Sequence, residues 1–273
     1  MVFINLIFAL TAICYAVSCW YAFRDYQNQE SSFDFAAIRW LKGGLFLQAC
    51  SLAAQWAWSG HAPVFSADGI LATLAFSLAL SLLLGRLKTP VPVLTSFFVP
   101  FIFLLSLLGF IAGFHSGPLM EDRWMTLSMA SHIFLIFLGF SCFTFGFGVG
   151  TAFWVQEGQL KRHLVTSWSY RLPALEALDQ LTAFYIGLGF LFWLLGLGVG
   201  AVQAFQVWQA LPLADPKILG SFLVLVIYAF FFVLRWGFKM RGRKTMVLVM
   251  AGYFLALFTF VGVRIFLTTQ HAF

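Results

Sequence analysis

Five histidines punctuate the chain: His61, His115, His132, His163 and His271. An imidazole offers a neutral ring nitrogen that ligates iron, including axially in haem. His132 differs from the others because it opens an apolar stretch, where a polar ring must find a partner or a function. His61 and His115 are adequately read as ordinary loop residues. Arg264 raises the same question inside the last apolar stretch. Its guanidinium must snorkel to headgroups, pair with an acid, or offer its donor fork to a carboxylate-bearing ligand. Asp215, before Pro216 and Lys217, reads as a helix N-cap followed by a first-turn proline. Trp208 reads as an interfacial ring that could also stack a planar ligand. Cys14, Cys19, Cys50 and Cys142 form no C-x-x-C pair, so zinc, thioredoxin-like and covalent-haem motifs are absent. The thiols read as small buried apolar groups.

The elements that position these residues follow from composition. Of 273 residues, 62% are apolar and 10% charged, whereas a soluble domain carries about 25% charged residues. A surface so poor in charge calls for lipid as its solvent. Continuous apolar runs predict helices across residues 2–23, 40–59, 68–85, 91–114, 127–155, 181–205, 217–234 and 245–268. In hydrocarbon each backbone amide and carbonyl needs an internal partner, which a helix supplies. The alternating ten-residue strands of a barrel are missing. Residues 2–23 lack a basic leader and a small-residue cleavage site, so they read as a retained first helix and not as a signal peptide. The expectation is an all-α polytopic membrane helix bundle with eight transmembrane helices, forming one membrane domain over 1–273.

Lys and Arg set the orientation. With an external N-terminus, thirteen of the sixteen fall in cytoplasmic loops, and only Arg123 and Lys217 fall opposite. By the positive-inside rule both termini lie on the non-cytoplasmic side. His61, His115, His132 and His271 then share the outer face, and only His163 is cytoplasmic. The net charge of +6 is explained by these loops, not by a continuous basic face, which excludes a nucleic-acid partner. The connection 156–180 places Leu172, Leu175 and Leu178 at intervals of three after Arg171. With Pro173, Glu176 and Asp179 at its start, it reads as an interfacial helix feeding the sixth span. Glycines in spans 5 and 6, from Gly139 to Gly150 and from Gly187 to Gly200, could mark a transporter's interrupted helices. Close helix packing explains them more simply.

From His132 to His271 the chain resembles the cytochrome c assembly family, which includes the CcsA/ResC haem-handling proteins, the HemX proteins and the YpjD-like inner-membrane proteins. The matching residues are His132, Gln156-Glu157 with Leu160-Lys161, Arg171-Leu172-Pro173, Leu175-Glu176, and Leu178-Asp179. They continue through Gly200, Trp208, Asp215-Pro216-Lys217, Arg241-Gly242-Arg243, Gly262 and His271. Residues 126–273 thus form the family-like region, and 1–125 hold four N-terminal helices similar in number and hydrophobicity only. The resemblance implies an outer haem-binding platform with His132 and His271 as the flanking iron ligands, Trp208 its first tryptophan and Asp215 its closing aspartate. Pro212 and Ala214 stand where CcsA-type members have two further tryptophans, and Val233 where they have an intramembrane histidine. These departures place the chain nearer the HemX/YpjD-like branch.

Two functions are therefore expected in competition. One is haem handling at the outer face of the bacterial inner membrane for c-type cytochrome biogenesis, with Arg264 as a propionate partner and an assembly protein as recipient. No nucleophile or acid–base pair points to catalysis by this chain alone. The other is a HemX-like regulator or scaffold acting on a cytoplasmic enzyme of tetrapyrrole synthesis through residues 156–180 and 235–244, without haem.

Overall fold

The structure, a computed structural model, describes residues 2–28, 31–60, 62–89, 91–113, 127–163, 172–208 and 215–262. Eight α-helices account for nearly all of them: α1 Val2–Asn28, α2 Ser31–Ser59, α3 Ala67–Lys88, α4 Pro92–Gly113, α5 Leu127–Lys161, α6 Leu175–Trp208, α7 Pro216–Phe232 and α8 Arg243–Leu257. No strand occurs among the described residues. Seven of the helices, all but α2, are long and apolar enough to cross a membrane. The expected helical membrane protein is thus observed. Large apolar side chains such as Phe46, Phe97, Phe101, Phe222 and Phe254 face outward, an arrangement suited to a lipid solvent and costly in water.

The chain divides into two compact units, residues 1–137 and 138–273. In the first, α1 packs on α2 and α4, and α3 packs on α4 and α2. Small polar side chains join the helices: Ser18 Oγ donates to Ala37 O at 2.8 Å, and Ser96 Oγ to Ala22 O at 2.8 Å. At the centre, Tyr15 Oη donates to Gln48 Oε1 at 2.6 Å and Gln48 Nε2 donates to Ala72 O at 2.9 Å. This exchange satisfies a buried amide that hydrocarbon could not. Gly44 lets α2 approach the Tyr15 ring, since a Cβ there would lie 2.6 Å from Tyr15 Cε1. Ser66 caps α3 by accepting from Gly69 N at 3.2 Å.

The second unit is built on aromatic rings. Phe143 stacks on Tyr228 with ring centres 4.2 Å apart and lies 5.6 Å from Trp193, all three buried. Phe140 and Phe147 of α5 stack on Tyr253 of α8 at 5.9 and 4.5 Å. Glycines make the close approaches. A Cβ at Gly139 would lie 3.0 Å from Trp193 N, one at Gly146 2.6 Å from Ile186 Cδ1, and one at Gly189 2.5 Å from the Phe143 ring. The span 5 and 6 glycines at these positions are thus packing contacts between α5 and α6.

Two sequence expectations change. The separate interfacial helix does not form, because Leu175 to Trp208 is one continuous helix. Pro173 lies just ahead of it, and no proline follows within the helix. Leu172 and Leu178 are buried together with Asp179, Leu181 and Thr182, and Leu175 is half-buried, so most of the leucine stripe packs against protein instead of lying on the membrane surface. Similarly, α5 runs on to Lys161, stabilised by a Lys161–Glu157 pair one turn apart at 2.7 Å. Cys14, Cys19 and Cys50 are half-buried, while Cys142 is fully buried as expected.

Candidate functional site

His132 sits in the first turns of α5 and is half-buried. Its neighbours Ala130 and Ile133 pack with Ala62, Val64 and Phe65, which anchors this end of α5 within the first unit. Trp208 is the last residue of α6, and Asp215 precedes α7 in the second unit. The Asp215 carboxylate is buried and accepts from Lys217 N at 2.8 Å, with Pro216 in the first turn. Asp215 is thus the N-cap of α7, as its sequence context implies. His271 and Arg264 lie outside the described residues, as do His61, His115, Pro212 and Ala214.

Does haem fit the residues present? In the first turns of α5, the half-buried residue His132 has the donor chemistry of an axial ligand. The interior of the second unit is unsuited to a further haem. Among its described residues the only histidine is His163, in a turn with φ 55°. Phe143, Phe145, Trp193, Tyr185 and Tyr228 fill the space between the helices. Val233, which the resemblance aligns with an intramembrane histidine of CcsA-type members, is exposed at the start of a π turn, Val233–Gly237. No group of three or more metal-ligating side chains occurs among the described residues.

Sequence reasoning missed two charged clusters. Arg235, on the π turn, donates through Nη2 to Asp179 Oδ2 at 2.7 Å, and both residues are buried. Gly242 N donates to the other oxygen, Asp179 Oδ1, at 3.4 Å. One carboxylate therefore holds the end of α7, the start of α8 and the first turns of α6. In the first unit Asp34, opening α2, pairs with Arg86 in the last turn of α3. Sequence alone reads Asp179 as a partner of the helix dipole, and Arg235 and Arg86 as two of the thirteen basic residues that set the topology. The available signal was position: each charge falls beside an apolar run at a helix end, where an unpaired charge is costly.

A multi-pass helical membrane protein with a histidine opening its fifth helix and an aspartate-capped seventh defines the class. A model of the cytochrome c assembly protein family matches residues 3–271, and the chain belongs to that family. It is similar to Protein HemX of Bacillus subtilis, 25% identical over 263 residues that cover 90% of this chain and 92% of the relative. It is also similar to the cytochrome c biogenesis protein CcsA of Prochlorococcus marinus, 24% identical over 266 residues covering 87% and 83%. CcsA of Atropa belladonna is 23% identical over 245 residues, covering 78% and 77%. The match reaches back through α1 to α4, further than the motifs of the C-terminal half had suggested.

Proposed function

We propose that this protein handles haem for c-type cytochrome biogenesis, taking it at the non-cytoplasmic face of a bacterial inner membrane and presenting it to an assembly partner. The observation that carries the reading is the family match over residues 3–271, which includes both His132 and His271. In this reading the two imidazoles are axial ligands and Trp208 is a stacking wall. Asp215 fixes the start of α7 at the platform's edge, and Arg264 receives a propionate. Haem is cargo here; the chain binds, orients and releases it.

The reading needs eight spans with both termini outside. The bias of thirteen basic residues against two supports that sidedness. The helix α2 has 29 residues, about 43 Å of helix and enough to span. It falls short in hydropathy because it carries Gln48, Gln55, Arg39 and Lys42. Gln48 is satisfied inside the first unit, and Gln55 Nε2 donates to Asp68 Oδ2 at 3.1 Å. A span that faces helix partners can carry such residues.

The test is an absorption spectrum of protein purified from haem-supplied cells. A Soret band that collapses in His132→Ala and His271→Ala supports the reading. No band in the wild type, or one untouched by both changes together, overturns it. The near full-length match to HemX, 90% of this chain, favours a second reading as a haem-free regulator acting on a cytoplasmic tetrapyrrole-synthesis enzyme. A soluble enzyme retained from detergent extract, and lost on substituting the exposed face of residues 156–161, would favour that reading.

A further inference from the structure

The turn between α7 and α8 concentrates charge of one sign. Arg235, Lys239, Arg241, Arg243 and Lys244 fall within residues 235–244, with no acid among them. The acid that reaches this turn, Asp179, is buried and committed to Arg235 and Gly242 N. Lys239, Arg241, Arg243 and Lys244 are all exposed. Among the described residues, no carboxylate pairs with any of the four. Arg243 lies over the Trp154 ring at 5.2 Å, which fixes the position of one cation.

The turn is also built. Phe238 N donates to Val233 O at 3.3 Å and Met240 N to Leu234 O at 3.0 Å. Lys239 and Gly242 take positive φ, 52° and 80°. The reversal therefore needs the left-handed conformation at a lysine, which a non-glycine residue adopts at a cost. The start of α8 has no side-chain cap and no acid in its first turn, and places Arg243 and Lys244 at the positive end of the helix dipole. Beside the cations, Trp236 is 72% and Phe238 69% exposed. Exposed rings next to cations at the end of a membrane span are suited to the headgroup layer.

We propose that the Arg235–Lys244 turn is a docking surface for an anionic phospholipid. Lys239, Arg241 and Lys244 meet the headgroup phosphate, and Trp236 and Phe238 enter the layer beneath it. Charge complementarity selects an anionic over a zwitterionic headgroup, and the adjacent rings select a lipid over a free phosphate. The buried Asp179–Arg235 pair is a positioning device that holds the turn. The site is independent of the haem reading.

Purified full-length protein in detergent is titrated with phosphatidylglycerol or phosphatidylcholine, and bound lipid is counted by native mass spectrometry. Phosphatidylglycerol is expected to bind preferentially and to weaken with salt. The triple change Lys239→Gln, Arg241→Gln, Lys244→Gln lowers its apparent affinity about tenfold or more, since each basic residue that meets the bound anionic headgroup contributes roughly fivefold. The matched control Arg39→Gln, Lys42→Gln, Lys88→Gln, exposed cations of the first unit, removes the same charge and should change affinity less than about twofold. The charge-preserving Lys239→Arg, Arg241→Lys, Lys244→Arg retains binding, and Trp236→Ala with Phe238→Ala weakens it. Equal binding of phosphatidylcholine, equal loss in the control triple, or full competition by inorganic phosphate would each overturn the proposal. So would a turn that captures a soluble protein while ignoring both lipids. If the triple variant does not fold, the lipid preference and salt dependence of the wild type decide alone.

Discussion

Asp179 and Arg235 stand 56 positions apart in the chain and form a buried ion pair of 2.7 Å. Removing one charge strands the other in a medium where it cannot be solvated, at a cost of about 3–5 kcal/mol. Asp179→Leu or Arg235→Met alone should therefore sharply lower the melting temperature followed by fluorescence-detected size exclusion. The double variant Asp179→Leu with Arg235→Met should recover most of the loss, because an apolar pair of similar volume avoids both desolvation penalties. Additive losses in the double variant would show that the two residues stabilise the fold through separate contacts.

The Tyr228 ring leaves no room for a side chain on α8. A Cβ at Gly252 would lie 2.6 Å from Tyr228 Cζ, and the ring is held by stacking on Phe143 at 4.2 Å. Gly252→Ala should cost about 1–3 kcal/mol by overpacking. Gly198, with open space around its Cβ position, should accept alanine with no loss. Thermal melts of the two variants compare the sites directly.

Gln48 supplies both halves of the exchange in the first unit, accepting from Tyr15 Oη and donating to Ala72 O. Gln48→Leu leaves the tyrosine hydroxyl buried without its acceptor, at about 1–3 kcal/mol. Tyr15→Phe combined with Gln48→Leu should be less destabilising than Gln48→Leu alone. A double variant that melts lower than the single would place the stabilising contact elsewhere.

Hydropathy is a local signal, and it located what is local. Each of the eight apolar runs coincides with a helix over its described residues. The Asp215-Pro216 cap was readable because capping chemistry is confined to neighbouring residues. Helix ends were less legible. Residues 31–39 joined α2 and residues 175–180 joined α6, where one carboxylate in each pairs with a distant cation: Asp34 with Arg86, and Asp179 with Arg235. A carboxylate beside an apolar run looks like a solvated loop until its cation is known. His132 could be flagged from its setting within an apolar run. The His132–His271 pairing came only from resemblance, because nothing in the spacing of two residues so far apart specifies that they meet.

Asp215 offers a way to separate structure from ligand binding in the proposed haem platform. Its carboxylate accepts from Lys217 N at 2.8 Å and is buried, so Asp215→Ala should cost about 1 kcal/mol through the lost N-cap. Asp215→Asn and Asp215→Ser keep an acceptor at the same position and should restore stability. If capping is the whole of its role, the Soret band of haem-loaded protein follows stability: reduced in the alanine variant and recovered in both polar ones. If the negative charge itself serves haem, Asn and Ser will restore the melting temperature but leave the Soret band altered. The two readouts on three variants distinguish a residue that shapes the platform from one that touches its cargo.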